Sequence, residues 1–259
     1  PLKGIPQPVG VYQVLRESGL QSRFQVARTT GLTPLVGREQ EAGLLFQRWE
    51  QAKDGVGHGV LICGEAGIGK SRLVQAFIDR VAKEPHARLL CRGSSYHHQS
   101  ALYPVIELLQ RVMDFQRDDS PEQKLDKLEQ NSSQFSSLAP DTRACIASLL
   151  SLPASRFPLP QLPPQRLRQK ILESLLAWLL ASATRQPALV IVEDLHWIDP
   201  STLELIALLI DQLPTTSILL LLTFRPEFSP PWSARSHLTT LMLPRLRRPH
   251  IKKMAENIA

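Results

Sequence analysis

Apolar residues recur along this chain in two rhythms. Over 38–53, Ala42, Leu44, Leu45 and Trp49 return at helical spacing, which predicts an amphipathic helix. Short apolar-rich runs stand at 59–63 (GVLIC), 87–91 (ARLLC), 188–194 (ALVIVED) and 217–224 (SILLLLTF), and 237–243 (HLTTLML) predicts a fifth strand. Runs of this length suit strands covered on both faces, as in a parallel sheet, and SILLLLTF is far too short to span a bilayer. Between them the period is helical: 70–81, 102–115, 121–130, 141–150, 165–184 and 201–213. Ser120 before Pro121 is an N-cap with proline in the first turn. Strands alternating with helices predict an α/β domain: a five-stranded, mainly parallel sheet flanked by helices, with a largely helical insertion over 100–187. The proline-rich stretch 152–164 (LPASRFPLPQLPP) reads as an irregular connection. At the start, VGVYQVL (9–15) alternates and predicts a strand, and the polar residues 16–33 read as a linker. No repeat of solenoid period is visible.

One junction carries chemistry. In LICGEAGIGKSRL (61–73), Gly64, Gly69, Lys70 and Ser71 fit the spacing G-x-x-x-x-G-K-[ST]. A buried strand leads into a turn that glycines take without Cβ clashes, and a helix follows. Successive backbone N–H groups from Gly64, Glu65, Ala66, Gly67, Ile68, Gly69, Lys70, Ser71 and Arg72 then form an anion nest, reinforced by the helix dipole. Lys70 is placed to reach β- and γ-phosphates, and the Ser71 hydroxyl to ligate Mg²⁺. A glycine-rich turn that binds nothing is the competing reading, and the apolar strand before and amphipathic helix after argue against it.

A phosphate loop needs a carboxylate near its metal. Glu193 and Asp194 end the apolar run 189–192, at the C-terminal edge where open parallel sheets hold ligands. We assign Asp194 to the metal and Glu193 to polarising the attacking water; spacing alone leaves the converse open, since adjacent strand residues face opposite ways. Asp199 reads as the cap of the helix that follows it. His196 has no partner at metal-ligand spacing. His97 and His98, in GSSYHHQS, lack nearby Cys or acids and read as loop residues rather than a metal pair. The run ending in Thr223-Phe224-Arg225-Pro226 offers Arg225 as a sensor of the γ-phosphate, with Thr223 as the alternative polar sensor, if that strand lies between the other two phosphate-site strands.

Composition narrows the setting. The formal net charge is +6 and the pI near 9.5, but the basic residues are dispersed apart from RLRRPHIKK (245–253), which reads as a solvated helix face; nucleic acid is not an expected partner. Three scattered cysteines give neither a disulfide framework nor a C-x-x-C site and point to a reducing, cytoplasmic compartment. No signal peptide opens the sequence, which starts at Pro1 and reads as a piece of a longer polypeptide.

Taken together, PLVGRE (34–39), GEAGIGKSRL (64–73), VEDLHWIDPSTLELI (192–206) and LLTFRPEF (221–228) resemble the AAA-related P-loop ATPase module of bacterial signal-transduction ATPases with numerous domains. The narrower resemblance is to proteins in which a class III adenylate/guanylate cyclase precedes this module and tetratricopeptide repeats follow. It implies that Val36, Gly37 and Arg38 line an adenine pocket, chiefly through backbone. It implies ATP and Mg²⁺ as cofactors, and slow hydrolysis resetting an ATP-operated switch. Residues 1–15 would be the tail of a cyclase-like domain, 34–244 the ATPase domain, and 245–259 the start of a lid. The cyclase aspartates would lie upstream, so cyclic-nucleotide synthesis is not expected. Expected partners are ATP and ADP, the neighbouring domains of a longer chain and a nucleotide-dependent oligomer, with no membrane. Two rivals stand beside this reading: an origin-recognition-like DNA-handling ATPase, and a nucleotide-binding scaffold without turnover.

Overall fold

A computed structural model describes residues 34–130 and 139–256. The expected strand at 9–15 and the linker at 16–33 lie outside the described residues. In chain order the elements are α1 (Glu39–Lys53), β1 (His58–Cys63), α2 (Lys70–Val81), β2 (Ala87–Arg92), α3 (Tyr103–Val112), α4 (Pro121–Gln130), α5 (Pro140–Leu149), α6 (Pro164–Ser182), β3 (Ala188–Glu193), a 3₁₀ turn (Leu195–Trp197), α7 (Pro200–Gln212), β4 (Ile218–Phe224), β5 (Leu238–Met242) and α8 (Arg248–Glu256). Five strands form one sheet in the order β2-β3-β4-β1-β5, and every pairing is parallel.

The apolar-rich runs are explained by two cores. Val60 and Ile62 of β1, Leu189 and Ile191 of β3, and Leu219 and Leu221 of β4 face α1 and α2, around Trp49 and Phe77. Their neighbours Leu61, Val190, Val192, Leu220 and Leu222 face the opposite way, into a second core with α3, α6 and α7. Alternate residues thus point to different cores, which keeps the middle of the central strands apolar on both faces. Each leucine buried this way contributes about 1.5–3 kcal/mol, so burial, not intrinsic propensity, fixes these strands. Trp49 and Phe77 meet edge-on with ring centroids 6.5 Å apart.

Helices α3 to α6 intervene between β2 and β3, although these strands are direct neighbours with Ala87 opposite Ala188. Asp199 anchors the insertion to the sheet. Its Oδ1 accepts the N–H of Thr202 in the first turn of α7 and the N–H of Leu102 just before α3, both at 3.0 Å. Its Oδ2 accepts the Thr202 hydroxyl at 2.6 Å. Leu102 stands in left-handed backbone (φ 58°), strain offset by the buried carboxylate holding its N–H. Asp199 is therefore the helix cap expected from sequence, and in addition a clamp across two helices. Cys63, Cys91 and Cys145 are buried free thiols, and burial pushes the Cys91 thiol up to about 12. No helix among the described residues is long and apolar enough to cross a membrane.

Candidate functional site

The glycine-rich turn leaves β1 at Cys63 and re-enters regular structure at Lys70, the first residue of α2. Gly67 (φ 76°) and Gly69 (φ 103°) occupy left-handed backbone, and a Cβ built on either would meet nothing within 4 Å. The turn therefore demands glycine for conformation, and the space beside it is open for a ligand. Gly64 is glycine for a different reason, since a Cβ there would come within 2.8 Å of Ile68 Cγ2.

Lys70 is buried, and its ammonium donates to the carbonyls of Gly64 (2.7 Å) and Glu65 (3.0 Å). These bonds use two of its three protons and draw the turn closed around the ammonium. Burial lowers the Lys70 pKa from its ordinary value, and the Asp194 carboxylate opposes that shift. A buried cation held this way favours an anionic partner, which replaces lost hydration.

The two acids of strand β3 are separated by the end of the strand. Glu193 is still extended and points at the neighbouring strand, where its Oε2 accepts Arg92 Nε at 2.6 Å. Asp194 has left the strand for left-handed backbone (φ 59°, ψ 53°), and its N–H donates to the buried Thr223 hydroxyl at 3.1 Å. Gly93 makes this turn possible. Its N–H donates to Glu193 O at 2.8 Å, and a Cβ on it would lie 2.3 Å from Asp194 O. Because β4 lies between β3 and β1, its end delivers Arg225 to the same place as Asp194 and Lys70.

These groups open onto a cavity of about 550 Å³. Its lining has a polar part, Gly67, Gly69, Lys70, Ser71, Arg72, Asp194 and Arg225, and an apolar part, Pro34, Leu35, Val36, Ile68, Leu246 and Met254. Ala66 and Arg38 also border it. Gly37, Gly64, Glu65 and Glu193 are not among the residues that line it. Gly37 (φ 68°) admits the ring of His250 so closely that a Cβ would meet its Nδ1 at 2.4 Å. Arg38 turns its buried guanidinium to structure, donating to Glu41 Oε1 (2.9 Å), Pro244 O (2.6 Å) and Ile68 O (3.4 Å). It bolts the segment after β5 to the glycine-rich turn. Exposed Glu65 pairs with Arg245 at 2.9 Å.

Some of the surroundings were not legible beforehand. Leu246 and Met254 arrive from the far end of the chain, and nothing in their local sequence marks them. Gly93 had one available signal, a glycine immediately after an apolar strand. His196 is partly buried with its Nε2 4.0 Å from Asp194 Oδ1, and partial burial lowers its pKa. Among the described residues no three or more His, Cys, Asp or Glu cluster in the manner of a metal cage.

Comparison with known proteins follows from this geometry. The family model for the AAA ATPase domain matches residues 34–222. The chain belongs to the AAA ATPase domain family. An uncharacterised protein of Rhizobium meliloti (strain 1021) is 30% identical over 249 residues, spanning 93% of this chain but 23% of that protein. Among solved structures, Cdc6p of Pyrobaculum aerophilum superposes with a TM-score of 0.52 at 13% identity, over 88% of this chain and 51% of that one. The Aeropyrum pernix ORC1 protein, solved in complex with DNA, gives 0.45 at 14% identity, over 87% and 50%. At such identities the Cdc6p likeness speaks to fold alone.

Proposed function

We propose that this AAA ATPase domain is an ATP-operated regulatory module of a multidomain signalling protein, of the cyclase-associated kind that its motifs resemble. The observation that carries the reading is the convergence of Lys70, Asp194 and Arg225, from the ends of three different strands, on one cavity with a glycine cradle. The cavity suits ATP: the base would lie against Val36, Leu246 and Met254, and the phosphates against the N–H groups of 67–72. Lys70 has a third proton free of its carbonyl bonds for the β- and γ-phosphates. Ser71 and Asp194 both belong to the polar part of the lining and are the hard oxygen donors a magnesium ion takes. When bound, the ion neutralises phosphate charge.

Arg225 contacts the γ-phosphate in this reading, and Glu193 polarises the attacking water once it leaves Arg92. Its engagement with Arg92 supports slow turnover, because a general base must first be released. The γ-phosphate contacts then make ATP and ADP states differ, which is what a switch requires. The test is a calorimetric titration of Mg-ATP into the chain and its Lys70→Ala variant. Affinity falls at least tenfold, about 1.4 kcal/mol, if the ammonium holds phosphate; equal affinity removes the site. The DNA-handling rival would use the exposed basic residues of 245–253, and a steep salt dependence of duplex binding, abolished by neutralising Arg247 and Arg248, would favour it instead.

A further inference from the structure

A second cavity, of about 490 Å³, shares Asp194 with the first. It is built from the turn after β2, the start of α3 and the 3₁₀ turn after β3. Three of its walls are aromatic. His97 stacks on Tyr103 with ring centroids 3.8 Å apart and planes 15° from parallel. Tyr96 is 90% exposed and Trp197 36% exposed. Core packing gives no reason for such rings to stand together in water around one concavity.

The charge of this cavity is the deciding property. Its titratable lining includes Arg92, Glu107 and Asp194. Arg92 is already neutralised by Glu193, at 2.6 Å. Glu107 accepts the Tyr103 hydroxyl through Oε1 at 3.1 Å, which leaves its second carboxylate oxygen to offer. Asp194 makes no close ion pair, its nearest basic atom being His196 Nε2 at 4.0 Å. Glu107 thus offers a carboxylate oxygen to a ring-lined space, and Asp194 stands at its border with the nucleotide cavity. A phosphate or carboxylate ligand is repelled there, so an electron-rich aromatic cleft of this kind does not suit nucleotides or nucleic acid.

We propose that this cavity is a binding site for an organic cation, specifically a guanidinium group, and that it borders the nucleotide site through the shared Asp194. A guanidinium is flat and weakly hydrated, so it stacks on Trp197, Tyr96 or the His97–Tyr103 pair. It also donates in a fork to a carboxylate, and Glu107 supplies one. The same chemistry can come from an arginine side chain in a protein segment or from a free small molecule carrying the group. The segment GSSYHHQS, which sequence reads as a plain loop, supplies the aromatic and serine wall.

The experiment is a calorimetric titration of the 259-residue chain with Nα-acetyl-arginine amide, with its neutral citrulline counterpart, and with a short peptide carrying one central arginine. Saturable binding of the arginine probe, with the citrulline probe at least tenfold weaker, is expected. Trp197→Ala and Glu107→Gln should each weaken it about tenfold. Tyr96→Ala, at a side chain too exposed to endanger folding, should also weaken it. A peptide binding at least tenfold tighter than the blocked amino acid identifies a protein segment as the source, and equal binding identifies a small molecule. Absence of heat up to about 10 mM probe, well above a Kd of ~1 mM, would overturn the proposal. So would equal binding of the citrulline probe, or tighter binding of uridine monophosphate lost in Trp197→Ala.

Discussion

The N–H of Asp194 donates to the Thr223 hydroxyl at 3.1 Å, so the residue that ends β3 is held in left-handed backbone by the last turn of its neighbour β4. Thr223 is buried and outside the cavity lining; it positions Asp194 rather than meeting the ligand. Thr223→Val keeps the shape and removes the acceptor. Leaving that N–H unpaired costs about 1–3 kcal/mol, to be read as a lower urea midpoint. ATP affinity in the presence of Mg²⁺ should fall more than affinity in its absence, because only the former uses Asp194. Thr223→Ser should restore both. A variant that loses stability but keeps its full Mg²⁺ dependence would confine Thr223 to folding.

Arg225 distinguishes a switch from a holder. It belongs to the polar part of the cavity lining at the tip of β4, the strand between those bearing Lys70 and Asp194. A ligand shifts an equilibrium only by its differential affinity, so ATP and ADP must differ in at least one contact. A charge-assisted bond to a phosphate oxygen is worth about 1.5–3 kcal/mol. Arg225→Ala is expected to weaken ATP roughly tenfold to a hundredfold while leaving ADP nearly unchanged. Paired titrations of both nucleotides decide it, and equal losses would leave a domain that grips both states alike.

Glu193 and Asp194 should separate turnover from binding. Glu193→Gln leaves the cavity lining intact and should keep ATP bound while suppressing hydrolysis in a single-turnover assay, since an amide does not polarise water. Asp194→Asn should instead lose Mg²⁺ dependence. Unchanged hydrolysis in Glu193→Gln would reduce Glu193 to its ion pair with Arg92, a tie between the ends of β2 and β3.

How much of this could be read beforehand depends on whether the cause is local. Helix α2 begins and ends where its period predicts, because a glycine turn starts it and a continuous apolar stripe carries it. The runs at 59–63, 188–194 and 217–224 became the fully buried strands β1, β3 and β4, since burial on both faces explains runs such as 218–222, while 87–91 became the half-exposed edge strand β2 and β5 followed the fifth. The position of β4 between β1 and β3, expected from the motif, brought Lys70, Asp194 and Arg225 together. What escaped is what long-range register decides. Glu193 finds Arg92, 101 residues away, because parallel pairing sets them side by side. The different directions of the two acids depend on the backbone of Asp194, which stands left-handed where Gly93 leaves room for its carbonyl and Thr223 takes its N–H. Arg38, expected to serve the adenine pocket, spends its guanidinium on Pro244, and Met254 joins the apolar part of the lining from a helix whose sequence carries no mark of the site.

Acid should destabilise the fold through His58. This side chain starts β1, is 9% exposed, and lies opposite Leu219 in the sheet. Burial lowers its pKa below the ordinary 6.5, and Arg48 of α1 and His237 before β5 lower it further by charge, against a raising contribution from the His237 backbone. The sign follows from proton counting. Below 6.5 the unfolded chain binds a proton at this residue that the folded chain does not, so stability rises with pH and is lost as pH falls through that value. The slope from one such group approaches about 1.4 kcal/mol per pH unit and flattens once the folded histidine itself protonates. His196, also lowered by burial, adds in the same direction. Urea unfolding between roughly pH 7.5 and 5 should therefore show a falling midpoint in the wild type, and a shallower fall in His58→Leu. The comparison is of slopes within each protein, so any constant change in stability from the substitution cancels. Equal slopes would mean that His58 takes up its proton in the folded state as readily as in the unfolded one.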